Sequence, residues 1–343
     1  MTRADVQTVA AGIYPGIAVC MIIAVAAMGI AGQYGAPVML IALLVGLALH
    51  PLSQSEVLAP GIHISAKTIL KIGVALLGLR IAYGDIASLG WMVPLCVIAI
   101  VALTILVGSV LGRWLGLSAP FAVLASGAVA ICGVSAAVAI SCVLPKREGE
   151  DRQLSLVIAG VTSLSTVAMI LYPVIAARIG LSDPETGFFL GGSIHDVAQV
   201  VGAGYSVSPE AGDAATYVKL LRVSLLLPVV VLIGFFFRDG SDAKQTKWTS
   251  LVPLFLIGFI LLAVVNSFHL IPPKLLEVGN SVSRFFIITS LVAVGMRTDL
   301  RDLARVGPRP LIALTLATAI MAIAAAATVA TIHPIDAVTA AHN

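Results

Sequence analysis

The chain has 343 residues, of which 59% are hydrophobic and 11% charged, with a formal net charge of +3. Its mean hydropathy is +1.07. A soluble globular chain carries about 25% charged residues, so this composition excludes an ordinary soluble domain and makes the lipid bilayer the expected surrounding; the small net charge and short basic runs exclude a nucleic-acid surface.

A membrane-crossing helix needs roughly 17 to 25 apolar residues. Taken in order, eleven apolar segments fall near residues 13–31, 36–50, 64–82, 91–113, 119–144, 154–178, 186–205, 216–237, 249–267, 276–297 and 309–332. The first follows Arg3 and has the outline of a signal peptide, but ten more segments follow, so a retained helix is expected. The fourth is bracketed by Trp91 and Trp114, spaced as two interfacial aromatic belts would be. Gly108, Gly112 and Gly116 repeat every four residues at its end, a small-residue face for close helix packing. The connections are short, so the whole chain, 1–343, reads as one all-α, polytopic membrane domain of about 10–11 spans.

Three connections are basic: Lys146, Arg147 and Arg152; Arg238, Lys244 and Lys247; Arg297, Arg301, Arg305 and Arg309. Positive loops belong on the cytoplasmic side, whereas 206–216 carries only Glu210 and Asp213. If the first two basic loops share one side, the three segments between them cannot all be simple spans. The segment holding His195 and Asp196 is the natural exception, entering as two half-helices. Lys219 and Arg222, at the start of the next apolar run, are expected to snorkel to the interface.

Gly78-Leu79-Arg80 followed by Asp85 and Gly90 reappears as Gly295-Met296-Arg297 followed by Asp302 and Gly307, at a constant offset of 217 residues. Lys67 and Arg284 match at the same offset. Internal duplication of this kind builds many secondary transporters around one midplane site. Arg80, Asp85, Arg297 and Asp302 therefore read as gate or anchor residues.

Gly191 to Gly204 places His195, Asp196 and Gln199 among glycines and apolar residues. Ionisable groups at membrane depth line cavities or pathways, and glycines allow a helix to break there. Asp196 is a candidate coupling-ion ligand or proton carrier, or half of a structural pair with a buried cation. His195 and Gln199 are candidate substrate contacts, with Ser193 beside them. A weaker echo, Ile131-Cys132-Gly133-Val134-Ser135-Ala136, suggests a second interrupted helix, where Ser126, Cys132, Gly133 and Ser135 offer hydroxyls and free amides to an anion at a helix N-terminus. Thr289, Ser290 and Asn280 are weaker candidates on the tenth segment. The four cysteines lack metal-ligand spacing, so no metal is expected.

With Ile131-Cys132-Gly133-x-Ser135-Ala136, Gly191-Gly192-Ser193-Ile194-His195-Asp196-Val197-Ala198-Gln199 and Gly78-Leu79-Arg80, the sequence resembles an uncharacterised bacterial inner-membrane family labelled as sulfate exporters, UPF0324, over nearly its whole length. The resemblance implies a distant relation to cation/proton antiporters and bile-acid symporters, with inverted repeats, two crossed or re-entrant interrupted helices, and a scaffold and mobile core interleaved in sequence. The expected activity is secondary export of a small anion such as sulfate, sulfite or an organosulfonate by an elevator-type alternating access, with no cofactor beyond a coupling H+ or Na+. No Walker motif is present. A cation/proton antiporter centred on Asp196 is the alternative within this class; an intramembrane hydrolase using Cys132 or Ser135 with His195 is the alternative outside it, and a non-enzyme is favoured. The expected partners are the anion and the bilayer, with a homodimer left open and no nucleic acid.

Overall fold

A chain this apolar has no water to satisfy its peptide groups, so its backbone must close its hydrogen bonds within each segment. In the computed structural model, which describes residues 3–80, 91–145, 150–237, 254–268, 270–299, 301–302 and 306–340, α-helix predominates and no strand occurs among the described residues. The helices are α1 (Arg3–Tyr34), α2 (Val38–Ala48), α3 (Ala59–Ile64), α4 (Leu70–Leu76), α5 (Met92–Trp114), α6 (Ala119–Ala130), α7 (Val134–Ser141) and α8 (Glu150–Arg178). They continue with α9 (Asp183–Ser193), α10 (Val197–Val207), α11 (Pro209–Ser224), α12 (Leu226–Phe236), α13 (Leu254–Ser267), α14 (Pro273–Arg297) and α15 (Pro308–Ala340). Seven helical stretches among the described residues are long and apolar enough to cross a membrane. Each of the eleven apolar segments contains at least one helix, so the protein is an all-α, multi-pass membrane protein.

The basic connections at Lys146, Arg147, Arg238, Lys244, Lys247 and Arg305, together with Asp85, lie outside the described residues. The stretch 206–216, expected as a connection, is corrected: α11 already begins at Pro209, capped by the Ser208 hydroxyl, which accepts from the Ala211 N–H at 3.0 Å. Serine as N-cap with proline one residue on is a strong start signal, and Glu210 suits the positive end of the helix dipole.

The chain divides into two compact units. The first comprises Met1–Leu89, Val201–Val207 and Pro253–Asp299. Here α14 lies against α2 backbone to backbone: a Cβ on Gly46 would collide with the Val292 carbonyl oxygen, and one on Gly295 with that of Leu43. It runs antiparallel to the stretch 59–79, since Gly279 meets Leu79 while Gly73 meets Ile287, and the Ser283 hydroxyl donates to the Gly73 carbonyl at 2.7 Å. Both copies of the Gly-x-Arg repeat close a helical stretch in this unit, at Arg80 and Arg297.

The second unit comprises Gly90–Val200, Ser208–Val252 and Leu300–Asn343. The packing role expected for Gly108 and Gly112 is met, for their Cβ positions lie 2.9 Å from Ser126 Cβ and 2.8 Å from Ala122 Cβ on α6. Gly116 instead ends the helix: its φ of +79° suits a left-handed C-terminal residue. Gly187 and Gly191 on α9 let α11 approach closely, against Ala211, Ala214, Ala215 and Val218.

Candidate functional site at two interrupted helices

Two helical stretches are broken in mid-course, and both breaks lie in the second unit. α6 stops at Ala130, and the chain passes through Ile131 and Cys132 to Gly133, at φ +65° and ψ −118°, before α7 begins. Only glycine adopts that conformation readily. α9 stops at Ser193, Ile194 is extended, and α10 begins at Val197. Asp196 starts α10 by capping it: one carboxylate oxygen accepts from the Ala198 N–H at 2.8 Å, while the Asp196 N–H donates to the Ser165 hydroxyl at 3.1 Å. The half-helices expected for this segment are therefore present, and so is the partner interruption at 131–133. The two breaks are adjacent, since a Cβ on Gly133 would stand 3.8 Å from His195 Cβ.

A broken helix leaves carbonyls without partners at its C-terminal end. At both breaks these are met by two cations from α11. The Lys219 ammonium has three protons and three acceptors: Ile131 O at 2.7 Å, Ile194 O at 3.1 Å, and His195 O. The Arg222 guanidinium donates to Ala130 O at 3.0 and 2.9 Å, Val129 O at 3.0 Å, Gly191 O at 2.9 Å and Ile194 O at 2.8 Å, with Met321 Sδ at 3.1 Å. Both side chains are 0% exposed. The expected snorkelling of Lys219 and Arg222 is thereby overturned. Because α11 starts at Pro209, Lys219 sits ten residues, about 15 Å, into the span, too deep to reach an interface.

The charges can be weighed. Each helix end carries roughly half an elementary charge, positive at the N-terminus and negative at the C-terminus. The two cations outweigh the C-termini of α6 and α9 by about one charge, which an ionised Asp196, within Coulombic reach of Lys219, offsets. The N-termini of α7 and α10 then leave the centre positive by about one charge.

Around this centre two polar atoms are buried without partners. His195 Nε2 lies 3.0 Å from the Thr318 hydroxyl, whose own proton goes to Leu314 O at 2.8 Å. Nε2 therefore carries the ring hydrogen, a tautomer assigned from this network, and Nδ1 has no hydrogen-bond partner, although the Ser193 carbonyl is near the ring. Gln199 Nε2 donates to the Thr166 hydroxyl at 2.7 Å, and Thr166 donates to Thr162 O at 3.0 Å, leaving Gln199 Oε1 unpartnered.

The expected site residues thus divide. Cys132, Gly133, Ser135, His195, Asp196 and Gln199 come together at the two breaks, with Ser135 exposed at the start of α7 and Cys132 buried. Ser126 lies one turn back within α6, its hydroxyl bonded to Ala122 O and Ser109, each at 2.8 Å. Ser193 bonds back to Phe189 O at 2.5 Å. In the first unit, Arg80 stacks 5.3 Å over the Tyr205 ring, Arg297 is exposed, and Thr289 and Ser290 bond back to their own helix. Asp302 falls in the short stretch 301–302. No hydrogen bond joins His195 to Cys132 or Ser135, which leaves the hydrolase reading without its nucleophile–base contact.

Fold and site define a multi-pass, all-α membrane protein with two interrupted helices meeting over buried cations. The chain belongs to the family described as conserved hypothetical protein 698, whose model matches residues 15–314. It is similar to a UPF0324 membrane protein of Rhizobium meliloti, 48% identical over 295 residues that cover 85% of this chain and 86% of the relative. The UPF0324 membrane protein TauZ of Paracoccus denitrificans is 45% identical over 313 residues, 90% of this chain and 93% of the relative. One from Chlorobaculum tepidum is 45% identical over 316 residues, covering 90% and 87%. No solved structure matches.

Proposed function

We propose that the protein is a secondary active transporter for a small oxyanion of the sulfate or sulfite class, working by alternating access. The observation that carries this reading is the uncapped half-helix N-terminus of α7, left positive because Lys219 and Arg222 occupy the opposing C-termini. Free N–H groups at a helix start favour an oxyanion. Ser135, exposed in the first turn of α7, adds a hydroxyl donor. Asp196 is the coupling group: a proton taken there raises the local charge by one unit, so anion and proton load together. In the elevator form of the mechanism, the unit holding the interrupted helices carries the anion.

Uptake of radiolabelled sulfate into inverted membrane vesicles tests this. The parent chain shows saturable flux driven by a proton or sodium gradient; Asp196→Asn uncouples flux from the gradient, and His195→Ala weakens it. If sulfate flux is absent while cation-dependent proton movement persists and needs Asp196, the protein is instead a cation/proton antiporter.

A further inference from the structure

The helical stretch Ala59–Leu79 carries exposed basic side chains near the middle of its length. Between Ala59 and Arg80 the sequence has no acidic residue, and His63, Lys67 and Lys71 are exposed. Lys67 and Lys71 each lie eight residues from an end of the 21-residue span, about 12 Å deep at 1.5 Å per residue. A charge facing hydrocarbon there is costly, and such residues face a protein interior or water instead.

Local structure puts the three on one face. Residues four apart on an α-helix drift by about 40° per step. A π-helical turn at Ser65–Ile69 winds more slowly and takes back part of that drift, and such turns recur at functional positions. The antiparallel pairing of α14 with this stretch brings the exposed Arg297 to its start, within Coulombic reach of His63 and Lys67, while Lys71 interacts with Lys67. Among the described residues none of the four has an ion-pair or hydrogen-bond partner. By contrast, the nearby His50 is occupied, its Nδ1 2.7 Å from Met296 O and its Nε2 3.6 Å from Asp299.

We propose that His63, Lys67, Lys71 and Arg297 form an oxyanion-binding strip along a water-filled path in the first unit, an anion station separate from the interrupted helices. Like charges one helical turn apart repel each other unless an anion lies between them, and an anion of two negative charges is matched by successive pairs. The strip rests on the reading of the protein as an anion transporter and names the part of the chain that selects for charge.

The test uses the full-length protein in vesicles, with Lys67→Cys and Lys71→Cys each treated with an anionic or a cationic methanethiosulfonate and read against the parent chain, whose Cys142 is exposed. The expected result is modification at both positions, at least tenfold faster with the anionic reagent and slowed by millimolar sodium sulfate but not by sodium chloride of equal ionic strength. Adding Arg297→Gln lowers the anionic preference severalfold. Modification that occurs only after denaturation, equal rates for the two reagents, or protection that follows the phosphatidylglycerol content of the vesicles rather than sulfate would each overturn the proposal. Lys67→Gln should raise the half-saturating sulfate concentration at least fivefold and Lys67→Arg restore it; equal values for both would also overturn it. If modification and sulfate protection hold while the parent chain moves no sulfate, the transport reading fails and the strip stands.

Discussion

Buried cations in one unit and exposed cations in the other show how the same residue types serve opposite ends. Lys219 and Arg222 are 0% exposed, and their protons are committed to backbone carbonyls at the ends of α6 and α9. Lys67 and Lys71 are exposed, with no partner among the described residues. The first pair makes an otherwise unfavourable backbone possible. The second keeps its charge available. Position in the span does not separate them, since all four lie at least eight residues from either end of a membrane-length helical stretch; what separates them is whether orphaned carbonyls lie within reach.

The largest effect should come from breaking the committed pair. Lys219→Met leaves the carbonyls of Ile131 and His195 without a donor, and Arg222→Met does the same for Val129, Ala130 and Gly191. Each buried unsatisfied group costs about 1–3 kcal/mol, so either change should abolish a monodisperse, detergent-extractable protein. Size-exclusion profiles after heating would measure it. A Lys219→Met protein that melts like the parent would show that the carbonyls find other partners.

Gly133→Ala comes next. At φ +65° with Val161 Cγ1 3.1 Å from the new Cβ, the substitution meets both backbone strain of about 1–3 kcal/mol and a steric contact. It should lower the melting temperature without abolishing the fold. Asp196→Asn should do less to stability, because asparagine caps a helix about as well as aspartate, while it removes the carboxylate to which the proposed mechanism assigns proton coupling. A fold-neutral Asp196→Asn with coupled sulfate flux intact would remove Asp196 from the mechanism.

The apolar segments and the two helix breaks were legible in the sequence; the contrast between the two sets of cations was not, for physical reasons. Apolar length placed a helix in each of the eleven segments, seven helical stretches among the described residues being long and apolar enough to cross a membrane, since the bilayer imposes one length scale on a span. The break at His195-Asp196 was readable because charge and glycine coincide there, and the partner break because Gly133 sits in a matching cluster. Lys219 and Arg222 were misplaced for a definable reason: Glu210 and Asp213 looked like a loop, so the apolar run seemed to begin at 216 and the cations to sit near its end. The Ser208-Pro209 cap signal would have moved the helix start back and put both residues at depth. His63, Lys67 and Lys71 went unread as a set because their alignment depends on the π-helical turn at Ser65–Ile69, which no periodicity in the sequence announces. The roles of Ser126 and Ser193 could not be read either, as a serine hydroxyl bonds to its own helix or to a ligand according to neighbours fixed only in three dimensions.

The smallest effect on stability, and the sharpest test of the contrast, belongs to the exposed strip. Lys67→Gln and Lys71→Gln remove charges that bond to nothing among the described residues and that repel one another, Lys67 being repelled by Arg297 as well. Like charges one turn apart destabilise a helix slightly, so either change should leave the melting temperature of the purified protein unchanged or a little higher, and the double change should not lower it. The same proteins should lose the stabilisation that sodium sulfate gives the parent, because a ligand that binds only the folded state raises its melting temperature. A marked fall in stability for Lys71→Gln would mean that its ammonium has a structural partner, and the distinction between committed and available charge would then rest on the interrupted helices alone.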